Sequence, residues 1–322
     1  MTTPVPAPAP VLVLDRVTKR FAGHTAVDSL SLSVARGAIY GLLGPNGAGK
    51  TTTIRMILDI IAPDAGSVRL FGEPGGGRTH TARIGYLPEE RGLYRKMRVL
   101  DVLVFLAEVK GVERRAARAQ ATEWLERLGL GAWRLRRIDE LSKGMQQKVQ
   151  FISTILHEPE LVILDEPFAG LDPVNAQVVK DAVLELTRRG VTILFSTHIM
   201  EQAEKLCDEL CIIARGRKLV EGALSDIKRT RSGHHLIIGF DGSAGAAAQV
   251  FADRGLVNRV DDYGQYAELE LAPGADPQQV LQRLVASGAR LSRFELQEPS
   301  LNKIFIDLVG PNAARAEARL DA

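Results

Sequence analysis

The chain has 322 residues, enough for two domains, and its 45% hydrophobic and 25% charged content is that of an ordinary globular protein. A formal net charge of +2 leaves no electrostatic footprint for nucleic acid. No apolar run reaches the roughly 18 residues that a membrane-spanning helix needs, and MTTPVPAPAPVLVLD lacks the basic start and apolar core of a secretory signal. Any membrane role is therefore expected to come through a partner.

Residues 4–10 alternate proline with small residues, and 1–10 read as an extended, poorly ordered leader. Strand-like runs follow at Val11–Leu14, Leu30–Val34 and Ile39–Leu43. The third runs straight into Gly44-Pro45-Asn46-Gly47-Ala48-Gly49-Lys50-Thr51, a complete GxxxxGK[ST], and then into a helical stretch, Lys50–Ile61. Strand, glycine loop, helix is the setting a phosphate-binding loop requires. Glycines let the backbone wrap an anion with successive N–H groups pointing inward, and the helix aims its N-terminal dipole at the same place. Lys50 is expected to reach β- and γ-phosphates, and the Thr51 hydroxyl to ligate Mg²⁺. The bland alternative, a chance glycine turn, fits the flanking strand and helix poorly.

The three glycines at 75–77 read as a flexible surface turn. From Val99 to about Glu158 the pattern is helical, with no convincing strand. Within it, Ser142 of Leu141-Ser142-Lys143-Gly144-Met145-Gln146-Gln147 is a good N-cap, and Met145, Val149, Ile152 and Leu156 follow at helical spacing. This is either a capped core helix or a second anion-binding helix N-terminus, with a glycine for close approach.

Strands resume at Leu161–Asp165 and Val191–Ser196, around a helix at Val174–Arg188. Four apolar residues before Asp165 predict a buried parallel strand, and its C-terminal end is where open α/β sheets place ligands. There Asp165 can hold Mg²⁺ through water, and Glu166, one residue further out, can polarise an attacking water. An ordinary helix cap is the alternative for either carboxylate. His198 follows the next strand; such a histidine is commonly structural, but this one is placed to meet the γ-phosphate or the attacking water. Leu210–Ala214 and Lys218–Glu221, around Arg215-Gly216-Arg217, predict a hairpin that closes the domain. Cys207 and Cys211 fit neither a CxxC zinc pair nor a disulfide framework and are expected as buried thiols.

Residues 11–228 thus predict an α/β P-loop domain with a helical subdomain over about 90–158. Periodicity lapses near Lys228–His234. Beyond it come strand (Leu236–Phe240), helix (Ala246–Arg254), strand (Val257–Val260), strand (Tyr266–Leu271), helix (Asp276–Ala286) and strand (Leu291–Leu296). That βαββαβ order predicts a small α+β ferredoxin-like domain over 234–310. Ser300 caps a last helix with Leu301, Ile304, Phe305 and Leu308 on one face, and 311–322 read as a tail.

GPNGAGKTT, LSKGMQQK, LVILDEP, AGLD and STH, in that order, resemble the ATP-binding subunit of an ABC transporter over roughly residues 11–225. LSxGxQ ahead of the ILDEP strand is the most specific pair. The resemblance implies ATP with Mg²⁺, held from Gly44 through Thr52, with Lys50, Glu166 and His198 as the catalytic set. It implies an ATP sandwich dimer, a homodimer or a heterodimer with a second ATPase subunit. In it the P-loop of one protomer faces Ser142 and Gly144 of the other, with Gln146 alongside and Asp172 of AGLD at the seam. Phe21 stands where the family has an aromatic that stacks on adenine; the alternative is a strand-end core residue.

Two departures stand out. Lys143 and Met145 break the family's LSGGQ, although Ser142 and Gly144 keep their places. Glu89 stands where the family has a glutamine that senses Mg²⁺ and water and couples to the membrane partner. Its carboxylate can ligate Mg²⁺ but adds negative charge beside phosphates, so slower or more tightly gated turnover is expected. LSKGMQQK, PEERGLY and the C-terminal EPSLNKIFIDLVG together resemble ATPases of bacterial export systems, some for sodium extrusion and others for drugs or antibiotics. That implies a separate transmembrane permease received near Glu89–Met97, a cytoplasmic position on the inner face of the membrane, and no nucleic-acid partner.

The chief alternative is a soluble ABC ATPase acting on ribosomes or nucleic acid. Such chains carry two nucleotide domains, long coiled-coil insertions or zinc insertions, none of which the sequence has. A GTPase would need NKxD, and the nearest string, Asn302-Lys303-Ile304-Phe305, lacks the Asp. Intact Lys50, Asp165, Glu166 and His198 argue against a degenerate ATP-binding regulator.

Overall fold

The computed structural model describes residues 9–90, 92–230, 235–241, 244–296 and 299–310. The expected leader up to residue 8, the lapse at 231–234 and the tail at 311–322 lie outside the described residues. The chain divides into two compact units between Ala223 and Leu224.

In the first unit, β1 (Leu12–Phe21) and β2 (His24–Val34) form a hairpin with Phe21 opposite His24. β3 (Ile39–Leu43) is buried at every residue and delivers the chain to the glycine loop and α1 (Lys50–Ile57). That helix stops short of the expected Ile61 because the chain turns left-handed at Asp59, φ 57°. β4 (Ala65–Leu70), β5 (Glu73–Pro74) and β6 (Ile84–Leu87) follow, none of them expected from the sequence. Val68 and Leu70 are the only buried residues of β4, too sparse a pattern to stand out beside the apolar strands. The glycines at 75–77 form a surface turn only at the first of them: Gly75 is exposed, with open space where a Cβ would stand. A Cβ on Gly76 would lie 2.6 Å from that of Asp59, and Gly77 is buried against Leu58.

The helical segment holds α2 (Val99–Val109), α3 (Arg114–Arg127) and α4 (Lys143–Ile155). The sheet then resumes with β7 (Leu161–Asp165), α5 (Pro173–Arg188), β8 (Thr192–Thr197), α6 (Met200–Glu204), β9 (Glu209–Ala214) and β10 (Arg217–Ala223). The six-stranded sheet runs β10-β9-β3-β8-β7-β6, parallel except at β10. A second, antiparallel sheet runs β2-β1-β4-β5. The β9–β10 turn is the expected hairpin, with Arg215 and Gly216 at φ 50° and 75°, the double left-handed step of a type I′ turn.

One apolar cluster joins the two sheets through α1: Leu12, Val34, Leu42 and Ile163 meet Ile54 and Ile57, all of them buried. Truncating a residue such as Ile57 there costs about 2–5 kcal/mol in transfer and cavity terms. Cys207 and Cys211 are buried and free. Burial pushes the Cys211 thiol up to about 12 and that of Cys207 higher still, so neither is a ready thiolate.

The second unit starts with α7 (Leu224–Arg229). It continues with β11 (His235–Phe240), α8 (Ala248–Ala252), β12 (Val257–Asp262), β13 (Tyr266–Leu271), α9 (Pro277–Ala286), β14 (Leu291–Leu296) and α10 (Leu301–Val309). Its sheet runs β12-β13-β11-β14, all neighbours antiparallel, which is the ferredoxin-like order that βαββαβ predicts. Ser300 caps α10, as its position in the sequence suggested, and Asp276, expected as the first residue of α9, is instead its N-cap. The core of this unit forms on one face, where Leu236, Ile238, Val257 and Leu269 pack with Val280 and Leu284 of α9.

Candidate functional site

The loop after β3, the N-terminus of α1 and the C-terminal end of β7 border one cavity of about 530 Å³, within the range of small-ligand sites; the end of β8 and His198 stand behind its wall and do not line it. The loop from Gly44 to Gly49 gives it its floor. Gly49 has φ 104°, and a Cβ there would lie 2.5 Å from the Ala26 carbonyl; Gly44 packs on the Ile213 carbonyl. Only glycine meets both demands, a left-handed backbone and close backbone approach. Pro45, Asn46, Gly47, Gly49, Lys50, Thr51 and Thr52 line the cavity, while the buried Ala48 and Gly44 shape the loop from behind. The Lys50 ammonium is buried and donates to the carbonyls of Gly44 at 2.6 Å and Pro45 at 3.1 Å.

Two carboxylates close the far wall. Thr51 Oγ1 donates to Asp165 Oδ2 at 3.1 Å, and Ser196 Oγ donates to the other Asp165 oxygen. Burial holds the Asp165 carboxyl above its ordinary range, against the lowering effect of those two hydroxyls. Glu166 is a non-glycine residue at φ 48°, a backbone that costs energy and recurs at functional sites. Its side chain is held on three sides. Thr197 Oγ1 donates to Oε2 at 3.1 Å, the His198 backbone N–H donates to Oε1 at 3.1 Å, and His198 Nδ1 lies 2.7 Å from Oε1. Lys50 Nζ stands 3.9 Å from the same Oε1. A buried carboxylate is thus aimed beside the lysine of a phosphate loop, the arrangement in which a base can take a proton next to an anion.

Phe21 is 49% exposed and lines the cavity, so it is no core residue, and His24 lines it from the other side of the hairpin turn. Glu89 is exposed and lies on the cavity wall, at the end of a loop that Gln150 of α4 holds through the Pro88 and Glu90 carbonyls.

The remaining candidates stand outside this cavity. Ser142 caps α4 by accepting from the Met145 N–H, and Gly144 leaves that helix end open beside Leu171. Gln146 turns its amide nitrogen back to the carbonyls of Ile138 and Leu141, so it braces the approach to the helix. Asp172 caps α5 through the N–H groups of Val174 and Asn175, and those bonds hold its carboxyl below the usual range. Sequence reasoning assigned no role to Ser196 and Thr197, which grip the two carboxylates, or to His24. A polar pair closing an otherwise apolar strand was the available signal.

The family described as "ABC transporter" matches residues 27–169, and that described as "ATP-binding protein DrrA1-3-like, C-terminal domain" matches residues 222–309. The ABC transporter ATP-binding protein YhaQ of Bacillus subtilis (strain 168) is 44% identical over 300 residues, covering 93% of this chain and 99% of that protein. The Nod factor export ATP-binding protein I of Rhizobium sp. (strain N33) is 36% identical over 296 residues, 91% of this chain and 95% of that one. Among solved structures, an ATP-binding subunit of an ABC transporter superposes with a TM-score of 0.64 at 31% identity, covering 69% of this chain and 93% of its own.

Proposed function

The chain belongs to the ATP-binding proteins of ABC transporters, those with a DrrA-like C-terminal domain and related to the NodI export ATPases, and from that premise we propose that it powers a bacterial export system through an ATP sandwich dimer beside a separate transmembrane permease. As an ABC transporter ATPase it acts on ATP. The observation that carries the chemistry is the Glu166 carboxylate, fixed by Thr197 and His198 next to Lys50.

On this reading the backbone N–H groups of Gly47 to Lys50 cradle the phosphates, and the Lys50 ammonium exchanges the Gly44 and Pro45 carbonyls for phosphate oxygens. Glu166 accepts a proton from the attacking water, while His198 holds its carboxylate in place and reaches toward the γ-phosphate. Phe21 stacks on the base.

The residues present fit Mg²⁺. Thr51 Oγ1 and Asp165 Oδ2 are hard oxygens 3.1 Å apart beside the cavity, with the Glu89 carboxylate on its wall. Mg²⁺ commonly keeps several waters and takes one or two carboxylates plus phosphate oxygens, which these few side-chain oxygens leave room for. When bound, Mg²⁺ neutralises charge that develops on the β- and γ-phosphate oxygens.

What supports the dimer is that Ser142, Gly144 and Asp172 stand outside the cavity, where a second protomer's Ser142 and Gly144 would close over the nucleotide. ATP would then favour the closed state by binding it more tightly, and hydrolysis would release it. What supports a permease is the exposed edge-to-face pair Tyr94–Phe105, 53% and 40% exposed, beside the Glu89 loop. No helix among the described residues is long and apolar enough to cross a membrane. A place on the inner face of the cell membrane, in the cytoplasm, would therefore depend on that partner. The relative named for Nod factor export favours outward transport.

The test is recovery of the chain from native membranes with identification of what accompanies it. A multi-helix membrane protein that raises the ATPase rate is the expected result. Recovery with ribosomes or nucleic acid alone would overturn the exporter reading in favour of a soluble ATPase.

A further inference from the structure

The β1–β2 turn brings Phe21 and His24 to the cavity opposite each other, and each side of the hairpin has an anchor of its own. The β2 side is seated against the glycine loop, where Gly49 leaves room for the Ala26 carbonyl. The β1 side, which carries Phe21, is held from the connection between α1 and β4. Asp64 there engages three successive residues. Its Oδ1 accepts from Lys19 Nζ at 2.9 Å, its Oδ2 accepts from the Arg20 N–H at 2.6 Å, and its own N–H donates to the Thr18 carbonyl at 2.8 Å. The Lys19 ammonium also donates to the Ala62 carbonyl at 2.8 Å and stands 5.7 Å from the centre of the Phe21 ring.

We propose that Asp64 is a positioning residue for the base-binding end of the site: by gripping Thr18, Lys19 and Arg20 it sets the direction in which Phe21 presents its ring to the cavity. The proposal rests on the reading that Phe21 stacks on the nucleotide base. Asp64 is exposed, and an exposed ion pair alone contributes little. Its effect is orientation, bounded by what base–aromatic stacking contributes. The phosphate end, built on a different loop, is left untouched.

The experiment uses the full chain and measures two affinities with Mg²⁺ present, for ATP and for inorganic tripolyphosphate, which has no base. Asp64→Ala is expected to weaken ATP roughly three- to tenfold with tripolyphosphate unchanged, and to add no further loss in a Phe21→Ala background. Asp64→Asn keeps one acceptor and should fall between; it carries the test if Asp64→Ala fails to fold. Equal losses for ATP and tripolyphosphate would make Asp64 a general structural residue and overturn the proposal. If Phe21→Ala weakens ATP but neither Asp64 variant does, the proposal alone falls. If Phe21→Ala leaves ATP affinity unchanged, the stacking reading falls and takes the proposal with it.

Discussion

His198 Nδ1 lies 2.7 Å from Glu166 Oε1, the same oxygen that Lys50 Nζ approaches to 3.9 Å. One carboxylate oxygen therefore faces both the histidine after β8 and the lysine of the phosphate loop. Replacing Glu166 by Gln keeps the shape and removes the base. ATP hydrolysis should fall by at least about a hundredfold, the usual weight of a positioned base, while ATP binding persists. With ATP present the variant should run as a stable dimer in size-exclusion light scattering. Hydrolysis within twofold of wild type would remove Glu166 from the role of base. His198→Ala should cost less, roughly ten- to a hundredfold, because Thr197 and the backbone N–H of residue 198 still hold Glu166.

Glu89 puts a carboxylate on the wall of a cavity whose floor is built for anions. Like charges near phosphate raise the free energy of the filled site, more so once water is excluded. Glu89→Gln is expected to raise turnover a few-fold and to shift the Mg²⁺ concentration needed for half-maximal rate. Steady-state ATPase assays across a Mg²⁺ titration decide it. An unchanged rate with an unchanged Mg²⁺ profile would mean that Glu89 is held away from the nucleotide during turnover.

The strands that carry this chemistry were legible because they are buried on both faces. Ile39–Leu43 and Leu161–Leu164 read as unbroken apolar runs, and the strands that hold them begin and end as expected. Caps at Ser142 and Ser300 were legible for a local reason, a short side chain that satisfies an open N–H. β4 and β6 were not. One is half-exposed, and the other holds four residues on a sheet edge, with Gly85 pressed against the Thr154 carbonyl. Nor could local pattern show that Thr51 meets Asp165, or Thr197 meets Glu166, since sequence separations of 114 and 31 residues are closed only by the sheet order. Asp64 was illegible for the same reason, because its partners lie on a strand far upstream.

Glu160 opens β7 from outside and ties three places together. It accepts from Arg83 at 2.6 and 3.1 Å and from Arg36 at 3.2 Å, and Arg83 in turn lies over the Phe71 ring. The Arg83 hydrogen bond, before all else, holds the Glu160 carboxyl below its ordinary 4.5. A lowered folded value means that the ionised form stabilises the fold above pH 4.5, and that this is lost as pH falls toward the folded value. Glu160→Gln should lower stability at pH 7 by less than about 1 kcal/mol, since the pair is half in solvent. The gap from wild type should narrow as the pH is taken below 4.5. Urea unfolding at a series of pH values measures it, and a gap that widens on acidification would refute the assignment.

Tyr40 is fully buried in β3 and donates from its phenol to Glu221 Oε1 of β10 at 2.7 Å. The Ser33 N–H and Lys218 Nζ also reach that carboxylate, so β2, β3 and β10 converge on one charge. Burial, more than the neighbouring carboxylates, holds the phenol far above its ordinary range, and it stays a donor at every working pH. Tyr40→Phe deletes a hydrogen bond to an ionised group, worth about 1.5–3 kcal/mol where the acceptor is left bare. Glu221 keeps Lys218 and some water, its side chain being 24% exposed, so the lower end applies. A loss of about 1.5 kcal/mol should appear as a melting point lower by roughly 3–6 °C. ATP affinity and turnover per folded molecule should not change, because Tyr40 does not border the cavity. A variant that melts like wild type would show that water or Lys218 fully replaces the phenol. One that keeps its melting point but loses turnover would place Tyr40 in the nucleotide machinery, which its position at the start of β3 argues against.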